Sequence, residues 1–363
     1  MYLILLKVSV SSAPGLSRHV NSCLAIVPKR PKSMRNCSIM YDQHVQQTRN
    51  SLSYDDQDDE IKSRFDQVII SINRIFGNSS EDEIRALNER VCLEVSAKPI
   101  LARVVQVYSL LDACISCGVH HATIKFLIEA NPSVLLWETK RDIVPTVIHR
   151  IAYHRSHCVL MPWIAANYQW ILYHERCLED SPLFGLLHEY ACRREETGCT
   201  AAIIRQFFEA YPQGLTQLNE SGYTPLHVIL MGSTVCEPDL FKWMAEQCPS
   251  SIFETGSIGQ TPLHRACWAL ARHLGEKSSE ICKYLVAKCP QSVRLQDNQK
   301  RIPIHLLLDH CQHRPVKEVV VLLLREYPES YDTTNGNPMP APSSIPFIQR
   351  IKPLLDEERE LKE

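Results

Sequence analysis

The sequence predicts an all-α fold made of similar helix pairs stacked on one another, and three observations predict it. Apolar residues recur at three- and four-residue spacing, as on one face of a helix. Several helical runs end in an aromatic residue or a cysteine followed by proline, as in Tyr211-Pro212 and Cys248-Pro249. A further proline then follows at constant distance, so that Pro225 comes thirteen residues after Pro212. Repeated helix-turn-helix units of this kind form a solenoid with short turns between the repeats.

The composition is that of a folded protein without a strong overall charge. Of the 363 residues, 45% are hydrophobic and 22% charged, and the formal net charge is −2, so no overall field attracts nucleic acid or an acidic membrane. The 15 cysteines are scattered and odd in number, which favours free thiols in a reducing compartment. No apolar run reaches the ~18 residues of a membrane span. We therefore expect an intracellular, cytoplasmic protein.

The N-terminal segment, residues 1–60, has no sustained hydrophobic period and is predicted to be disordered, basic at first and acidic at its end. Residues 1–41 contain six Lys or Arg and no Asp or Glu. Organelle transit peptides and unstructured basic tails share such a composition. An organelle address and a plain tail are both open interpretations of this segment.

Residues 61–98 predict two helices that cap the first repeat. Apolar residues between Ile61 and Ile75 follow a helical period, and a second helix runs through Val91. Between them, Ser80 and Glu83 have the spacing of a capping box, in which each side chain bonds to the main chain of the other residue.

The repeated motif has the features of a helix start. In Thr224-Pro225-Leu226-His227, threonine is a favourable N-cap, proline suits the first helical position, and leucine begins the apolar face. Gly222, two residues earlier, supplies a turn with positive φ. The motif recurs as Thr261-Pro262-Leu263-His264 after Gly259, and in degenerate form as Arg301-Ile302-Pro303-Ile304-His305.

These motifs resemble those of the ankyrin-repeat family. With weaker copies included, the resemblance covers residues 99–328, an array of about six repeats. Two departures are a period longer than the family's ~33 residues and Lys300 in place of the turn glycine. The weaker copies are Lys98-Pro99-Ile100-Leu101, Thr146-Val147-Ile148-His149 and Ser181-Pro182-Leu183-Phe184.

Stacked helix pairs predict two sets of core residues and a polar end cap. Residues 329–344 are predicted to be a Pro-rich linker, and residues 345–363 a C-terminal capping helix. The predicted core of the first helices comprises Leu226, Val228, Ile229, Leu263, Ala266, Leu270, Ile304, Leu306 and Leu307. The predicted core of the second helices comprises Phe207, Phe208, Phe241, Met244, Tyr284, Leu285, Val320 and Leu323.

The resemblance implies a scaffold or adaptor that binds another protein through the concave surface of the array, formed by the turn tips and the first helices. Aromatic residues and arginine, which dominate binding energy at interfaces, occur among the residues at these places. The candidate partner-binding residues are Glu220, Ser221, Tyr223, Ile258, Gln260, Trp268, Asn298, Gln299 and Arg301. The residues assigned to the repeat motif itself are Thr224, Pro225, Leu226, His227, Thr261, Pro262, Leu263, His264, Pro303 and His305.

Catalysis is not predicted, and no catalytic, cofactor-binding or metal-binding residue is assigned. The repeated histidines stand about 40 residues apart and cannot converge on one substrate. Cys114, Cys117, His120 and His121 have a spacing seen in zinc sites, but the favoured interpretation is two core thiols beside a helix start. The alternatives that stay open are a metal or thiol site there, and a regulatory subunit targeted by residues 1–60.

Overall fold

A computed structural model describes residues 52–74, 80–105, 109–117, 119–137, 146–174, 181–192, 198–232, 236–273, 276–310 and 317–331. In these ranges the chain is mostly helical, which confirms the all-α prediction. Two short strands, β1 (Leu52–Ser53) and β2 (Val104–Val105), pair in parallel. The capping helix predicted at 345–363, most of the linker before it and residues 1–51 lie outside the described residues.

Most of the described α-helices follow one another in pairs, whose first member we term the inner helix and whose second the outer helix. One short helix, α7 (Gln169–Leu172), belongs to none of these pairs. The pairs are α1 (Asp59–Arg74) with α2 (Glu81–Ala97), α3 (Leu110–Ser116) with α4 (His121–Ala130), α5 (Val147–Tyr153) with α6 (Met161–Asn167), α8 (Pro182–Cys192) with α9 (Ala201–Ala210), α10 (Pro225–Val228) with α11 (Pro238–Gln247), α12 (Pro262–His273) with α13 (Glu276–Lys288), and α14 (Pro303–His310) with α15 (Lys317–Glu326).

Each pair packs on the next in the same manner. Inner helices contact inner helices, as α8 does α10 and α12 does α14, and outer helices contact outer helices, as α11 does α13. The side chains between them form one apolar cluster. All the predicted core residues are buried except Tyr284, which is partly buried, and all but Leu306 belong to this cluster or pack against it. The helical period in the sequence therefore predicted the buried faces correctly.

Short 3₁₀ helices follow most outer helices, and proline begins them. Pro212, Pro249 and Pro290 are the first residues of 3₁₀ helices that follow α9, α11 and α13. Proline suits this place because its fixed φ fits the turn, and because the first N–H of a helix has no partner within it. The aromatic-or-cysteine plus proline signal therefore marks the end of an outer helix.

The same rule corrects one prediction at the N-terminal end. Pro99 begins a 3₁₀ helix, Pro99–Arg103, directly after α2. Lys98-Pro99-Ile100-Leu101 therefore ends a helix pair and does not open a repeat, since the next inner helix begins after the N-cap Ser109. The cap predicted for the preceding outer helix is confirmed, because Ser80 and Glu83 form a capping box.

The predicted disordered segment is too long at its C-terminal end. Of residues 1–60, the structure describes 52–60, where β1 pairs with β2 and α1 begins at Asp59. The side chain of Asp58 accepts a hydrogen bond from the N–H of Ile61 at 2.9 Å, and this stabilises the helix start. Among the described helices, none combines the length and the apolar character needed to cross a membrane.

Candidate interaction surface

Three successive turn tips, residues 219–223, 256–260 and 297–301, share one conformation. In each, the N–H of the first residue donates to the carbonyl of the fifth, at 3.0, 3.0 and 2.8 Å. The fourth residue has a positive φ, which is 68° at Gly222, 74° at Gly259 and 63° at Lys300. Glycine adopts this conformation freely, whereas lysine is strained there. The third tip therefore keeps its shape despite its sequence.

The tips are hydrogen-bonded to one another as well as within themselves. The N–H of Ser257 donates to the carbonyl of Ser221 at 3.2 Å, and the N–H of Asn298 to the carbonyl of Ile258 at 2.9 Å. The side-chain amide of Asn298 donates to the carbonyl of Ser257 at 3.0 Å. Asn298 thus fixes the spacing of two tips, and the three tips form a continuous edge.

A buried carboxylate, Asp297, organises the third tip. Its Oδ1 accepts the N–H groups of Gln299 and Arg301, each at 2.9 Å. Its Oδ2 accepts the guanidinium of Arg301 at 2.8 Å and the side-chain amide of Gln260 at 3.1 Å. Burial alone would raise the pKa of Asp297, but the hydrogen bonds from Arg301 and Gln260 outweigh it and lower the pKa. Asp297 therefore stays ionised and holds Arg301 in place.

The motif histidines connect each inner helix to the next tip. The N–H of Thr224 donates to Nδ1 of His227 at 3.3 Å, so Nδ1 is an acceptor and the ring proton sits on Nε2. Nε2 then donates to the carbonyl of Gln260 at 2.9 Å. His264 repeats the arrangement with Thr261 and with the carbonyl of Arg301, at 3.2 and 3.1 Å.

Burial keeps these histidines neutral. Burial is the main reason that the pKa values of His227 and His264 fall to about 4. The other residues assigned to the repeat motif are buried too. These side chains therefore lie inside the packed structure and not on its surface.

The predicted partner-binding residues divide into three groups. Glu220, Ser221, Ile258, Asn298 and Gln299 are exposed on the tips. Trp268, on α12, and Arg301, held by Asp297, are partly buried. Tyr223 and Gln260 are buried, with 5% and 3% of their surface exposed.

Tyr223 is buried because its neighbours enclose it. Its hydroxyl accepts a hydrogen bond from Nη2 of Arg265 at 2.7 Å, and the guanidinium carbon of Arg265 lies 4.8 Å from the ring centroid. Its ring also lies over Gly256, where an added Cβ would come within 2.1 Å of the ring. The side chain of Tyr223 is therefore part of the packing between helix pairs and is not available to a partner.

A second set of residues lies on the inner helices or directly after them, and of this set only Trp268 was predicted from the sequence. The seventh residue counted from the start of α5, α8, α10 and α12 is exposed or partly exposed, and these residues are Tyr153, His188, Met231 and Trp268. Tyr153 and Met231 are 40% and 37% exposed, and the rings of Tyr153 and His188 lie 6.0 Å apart. Counting seven residues from each motif would have found them. We term these four residues the inner-helix column.

The alternative metal or thiol site has a different character. Cys114 is fully buried and Cys117 partly so, and burial raises the pKa of both thiols. The ring of His121 bonds through Nε2 to the carbonyl of Ser156 at 2.7 Å. In the described part of the chain, no three His, Cys, Asp or Glu residues are placed to hold a metal ion. His120 is the exposed N-cap residue of α4.

Comparison with protein-family models and with curated proteins finds no match for this chain. What the surface can do chemically follows from the groups it presents. The tips offer backbone groups and short polar side chains, and the inner-helix column offers rings and a thioether. Backbone groups and short polar side chains can form hydrogen bonds, and the rings and the thioether can form apolar contacts.

Proposed function

We propose that this chain is a divergent ankyrin-type repeat solenoid that binds another protein and has no catalytic role. The observation that carries the proposal is the inner-helix column, in which the same position of four successive helix pairs is exposed, as Tyr153, His188 and Met231, or partly exposed, as Trp268. Aromatic residues and methionine are enriched at protein interfaces.

The tips extend this surface. Ile258 is 40% exposed on the second tip, and Glu220, Ser221 and Gln299 present polar groups beside it. Hydrogen bonds between tips fix their spacing before any partner arrives, which reduces the entropy lost on binding. A rigid edge next to a row of apolar side chains suits an extended or helical segment of a partner protein.

The outer helices present a different surface. Lysines on one outer helix pair with carboxylates on the next, as Lys242 does with Glu280, and Lys283 with Glu318. Exposed pairs of this kind contribute little to stability but keep the surface polar and its charges balanced. The contrast between the two surfaces supports placing the partner on the inner helices.

Site-specific photocrosslinking tests the proposal. A benzophenone amino acid replaces Met231 or Trp268 in the full chain, and a matched control carries it at Glu246, which is exposed on outer helix α11. We expect the same protein to be crosslinked from Met231 and Trp268 in cells, and not from Glu246. Crosslinks from Glu246 alone, or from none of the three positions, would contradict the proposal.

A further inference from the structure

Inner helix α12 presents a face that differs from its neighbours. Between Pro262 and Arg272, every residue is buried except Arg265, Trp268 and Arg272. Their spacing of three and four residues places them on one side of the helix. This face, which we term the α12 cationic face, combines two positive charges with one indole ring.

The rings and cations of this face are stacked on one another. The guanidinium carbon of Arg265 lies 4.8 Å from the ring centroid of Tyr223 and 6.0 Å from that of Trp268. The guanidinium carbon of Arg272 lies 4.6 Å from the Trp268 ring. Rings that hold a guanidinium plane in this way limit its motion, so less entropy is lost when it forms a hydrogen bond.

The two arginines form no ion pair with any described residue. Nε of Arg265 is buried and has no hydrogen-bond partner among the described residues, and Nη2 donates to a neutral hydroxyl, that of Tyr223. Arg272 is exposed. An uncompensated cation that is partly removed from water favours an anionic partner, because a charge-assisted hydrogen bond replaces the lost hydration.

Arg150 shows what the repeat does when it compensates such a charge internally. It stands four residues after Thr146, as Arg265 stands four residues after Thr261. Its guanidinium is paired with Asp112 and donates to Ser116 Oγ at 2.7 Å. The equivalent position of α12 has the same cation, and no carboxylate of the described residues is paired with it, so this position is open to an anion from another molecule.

We propose that the α12 cationic face binds an acidic peptide segment of a partner protein. Carboxylates of the segment pair with Arg265 and Arg272, and an apolar side chain packs on Trp268 and on Met231 at the same position of the preceding pair. A peptide fits better than a nucleic acid, since a net charge of −2 and two arginines supply too few phosphate contacts. The inference rests on the proposed function, because it specifies the partner of that surface.

A selection from a phage-displayed library of random twelve-residue peptides on the full chain tests this inference. The enriched peptides are synthesised with a fluorescent label, and their affinity is measured by anisotropy at increasing NaCl concentration. We expect acidic peptides with one apolar residue, whose binding weakens with salt. Arg272→Gln and Trp268→Ala are each expected to weaken binding about tenfold, the equivalent of ~1.4 kcal/mol.

The control variant is Arg205→Gln, which removes a guanidinium that lies 5.2 Å from the ring of Trp243 on the outer helices. Its affinity for the peptides is expected to equal that of the wild type. Arg272→Glu provides a charge swap. This variant is expected to bind a peptide whose acidic residues are replaced by lysine more tightly than it binds the original acidic peptide. Circular dichroism establishes that all variants are equally helical.

The outcomes separate this inference from the proposed function. Neutral or basic peptides, or acidic ones that bind Arg272→Gln as tightly as the wild type, would overturn the inference and leave a protein-binding surface in place. A single-stranded oligonucleotide that binds more tightly than any peptide, with the same dependence on Arg272, would also overturn it. If no peptides were enriched and no crosslinks formed from Met231 or Trp268, both the inference and the proposed function would be overturned.

Discussion

The imidazole Nε2 of His227 donates a hydrogen bond of 2.9 Å to the main-chain carbonyl of Gln260 and so joins inner helix α10 to the tip of the next helix pair. His264 forms the same link to the carbonyl of Arg301 at 3.1 Å. Because each of these bonds joins one helix pair to the next, their loss is expected to weaken the packing between neighbouring pairs.

Replacing His227 by alanine is therefore expected to destabilise the fold. The variant removes one of the two hydrogen bonds to the carbonyl of Gln260, leaving the bond from the Gly256 N–H, and opens a buried cavity. Together these losses cost about 2–4 kcal/mol. Urea denaturation followed by circular dichroism measures the loss. His188→Ala is the control, since His188 is exposed on α8 and its loss is expected to cost less than about 0.5 kcal/mol. Equal effects of the two substitutions would contradict the linking role.

Acidification is expected to destabilise the fold through three buried histidines. Burial is the largest cause that lowers the pKa values of His157, His227 and His264 to about 4. In the unfolded chain their pKa is about 6.5, so the unfolded state binds protons first as the pH falls. The stabilising effect of the neutral histidines is complete above pH ~6.5, and is lost progressively as the pH falls from there towards 4.

The free energy of unfolding, measured in urea at intervals between pH 8 and pH 4, checks this. For His264 the pKa difference corresponds to about 3 kcal/mol by pH 4. Asp297, whose pKa is lowered from an already acidic value, contributes only at lower pH. A free energy that stays constant between pH 6.5 and pH 4.5 would show that these histidines are not buried as the structure has them.

One of the three, His157, is a site where a substitution is expected to stabilise the protein. Its side chain is 1% exposed, and neither ring nitrogen makes a hydrogen bond of normal geometry with any described residue. Its ring stacks on His154, with the centroids 4.4 Å apart. His157→Phe keeps an aromatic ring and removes the buried polar atoms, so a gain of about 1 kcal/mol at pH 7 is expected.

Thermal unfolding at pH 7 and pH 5 measures the effect of His157→Phe. The stabilisation should be larger at pH 5, because the wild type loses stability there and the variant lacks this titrating group. His154→Phe is the comparison, since His154 is only partly buried. A lower melting temperature for His157→Phe at both pH values would indicate a polar role for His157.

Lys300 offers a test of backbone strain. Its φ of 63° matches the values at Gly222 and Gly259 in the preceding tips. A non-glycine residue in the left-handed conformation costs about 1–2 kcal/mol. Replacing Lys300 by glycine removes this cost, but glycine also loses more conformational entropy on folding. The net effect of Lys300→Gly is therefore expected to be a stabilisation of about 0.5–1 kcal/mol. Gly259→Ala is the opposite test, because its Cβ would lie 2.6 Å from Oδ1 of Asn298. If the urea midpoints of Lys300→Gly and Gly259→Ala moved in the same direction, this explanation of the backbone strain would be wrong.

The positions of the helices near the motif could be predicted from the sequence because the signals there are local. Thirteen residues separate Pro212 from Pro225, and this spacing located the start of α10 correctly. The same signal failed at Pro99, since proline is equally suited to the first position of a 3₁₀ helix. Proline marks a helix start without showing which kind of helix begins.

The candidate surface was harder to predict because burial between repeats depends on residues far apart in the chain. Tyr223 looks like an interface residue in the sequence, but its ring is enclosed by Gly256 and Arg265. Those residues come 33 and 42 positions later, and no local pattern connects them with Tyr223. Arg272 was overlooked for a related reason, because its lack of a carboxylate partner is a property of the packed structure.

The contrast between Tyr223 and Trp268 gives a final prediction that separates stability from binding. Tyr223→Ala empties a buried site and breaks the hydrogen bond from Arg265, so a loss of about 3 kcal/mol or more is expected. Trp268→Ala removes a partly exposed ring, and about 1 kcal/mol is expected. Tyr223→Phe keeps the ring, and is expected to lose about 1 kcal/mol at most and to keep full affinity for a partner.

Urea denaturation and peptide anisotropy on the same preparations measure both properties. Trp268→Ala should bind about tenfold more weakly while it stays folded, and Tyr223→Phe should bind as the wild type does. If Tyr223→Phe instead lost binding at unchanged stability, its hydroxyl would contact the partner directly, and the burial of Tyr223 would have to be released on binding. Equal losses of stability in Tyr223→Ala and Trp268→Ala would place both rings in the core, and the α12 cationic face would lose its apolar contact.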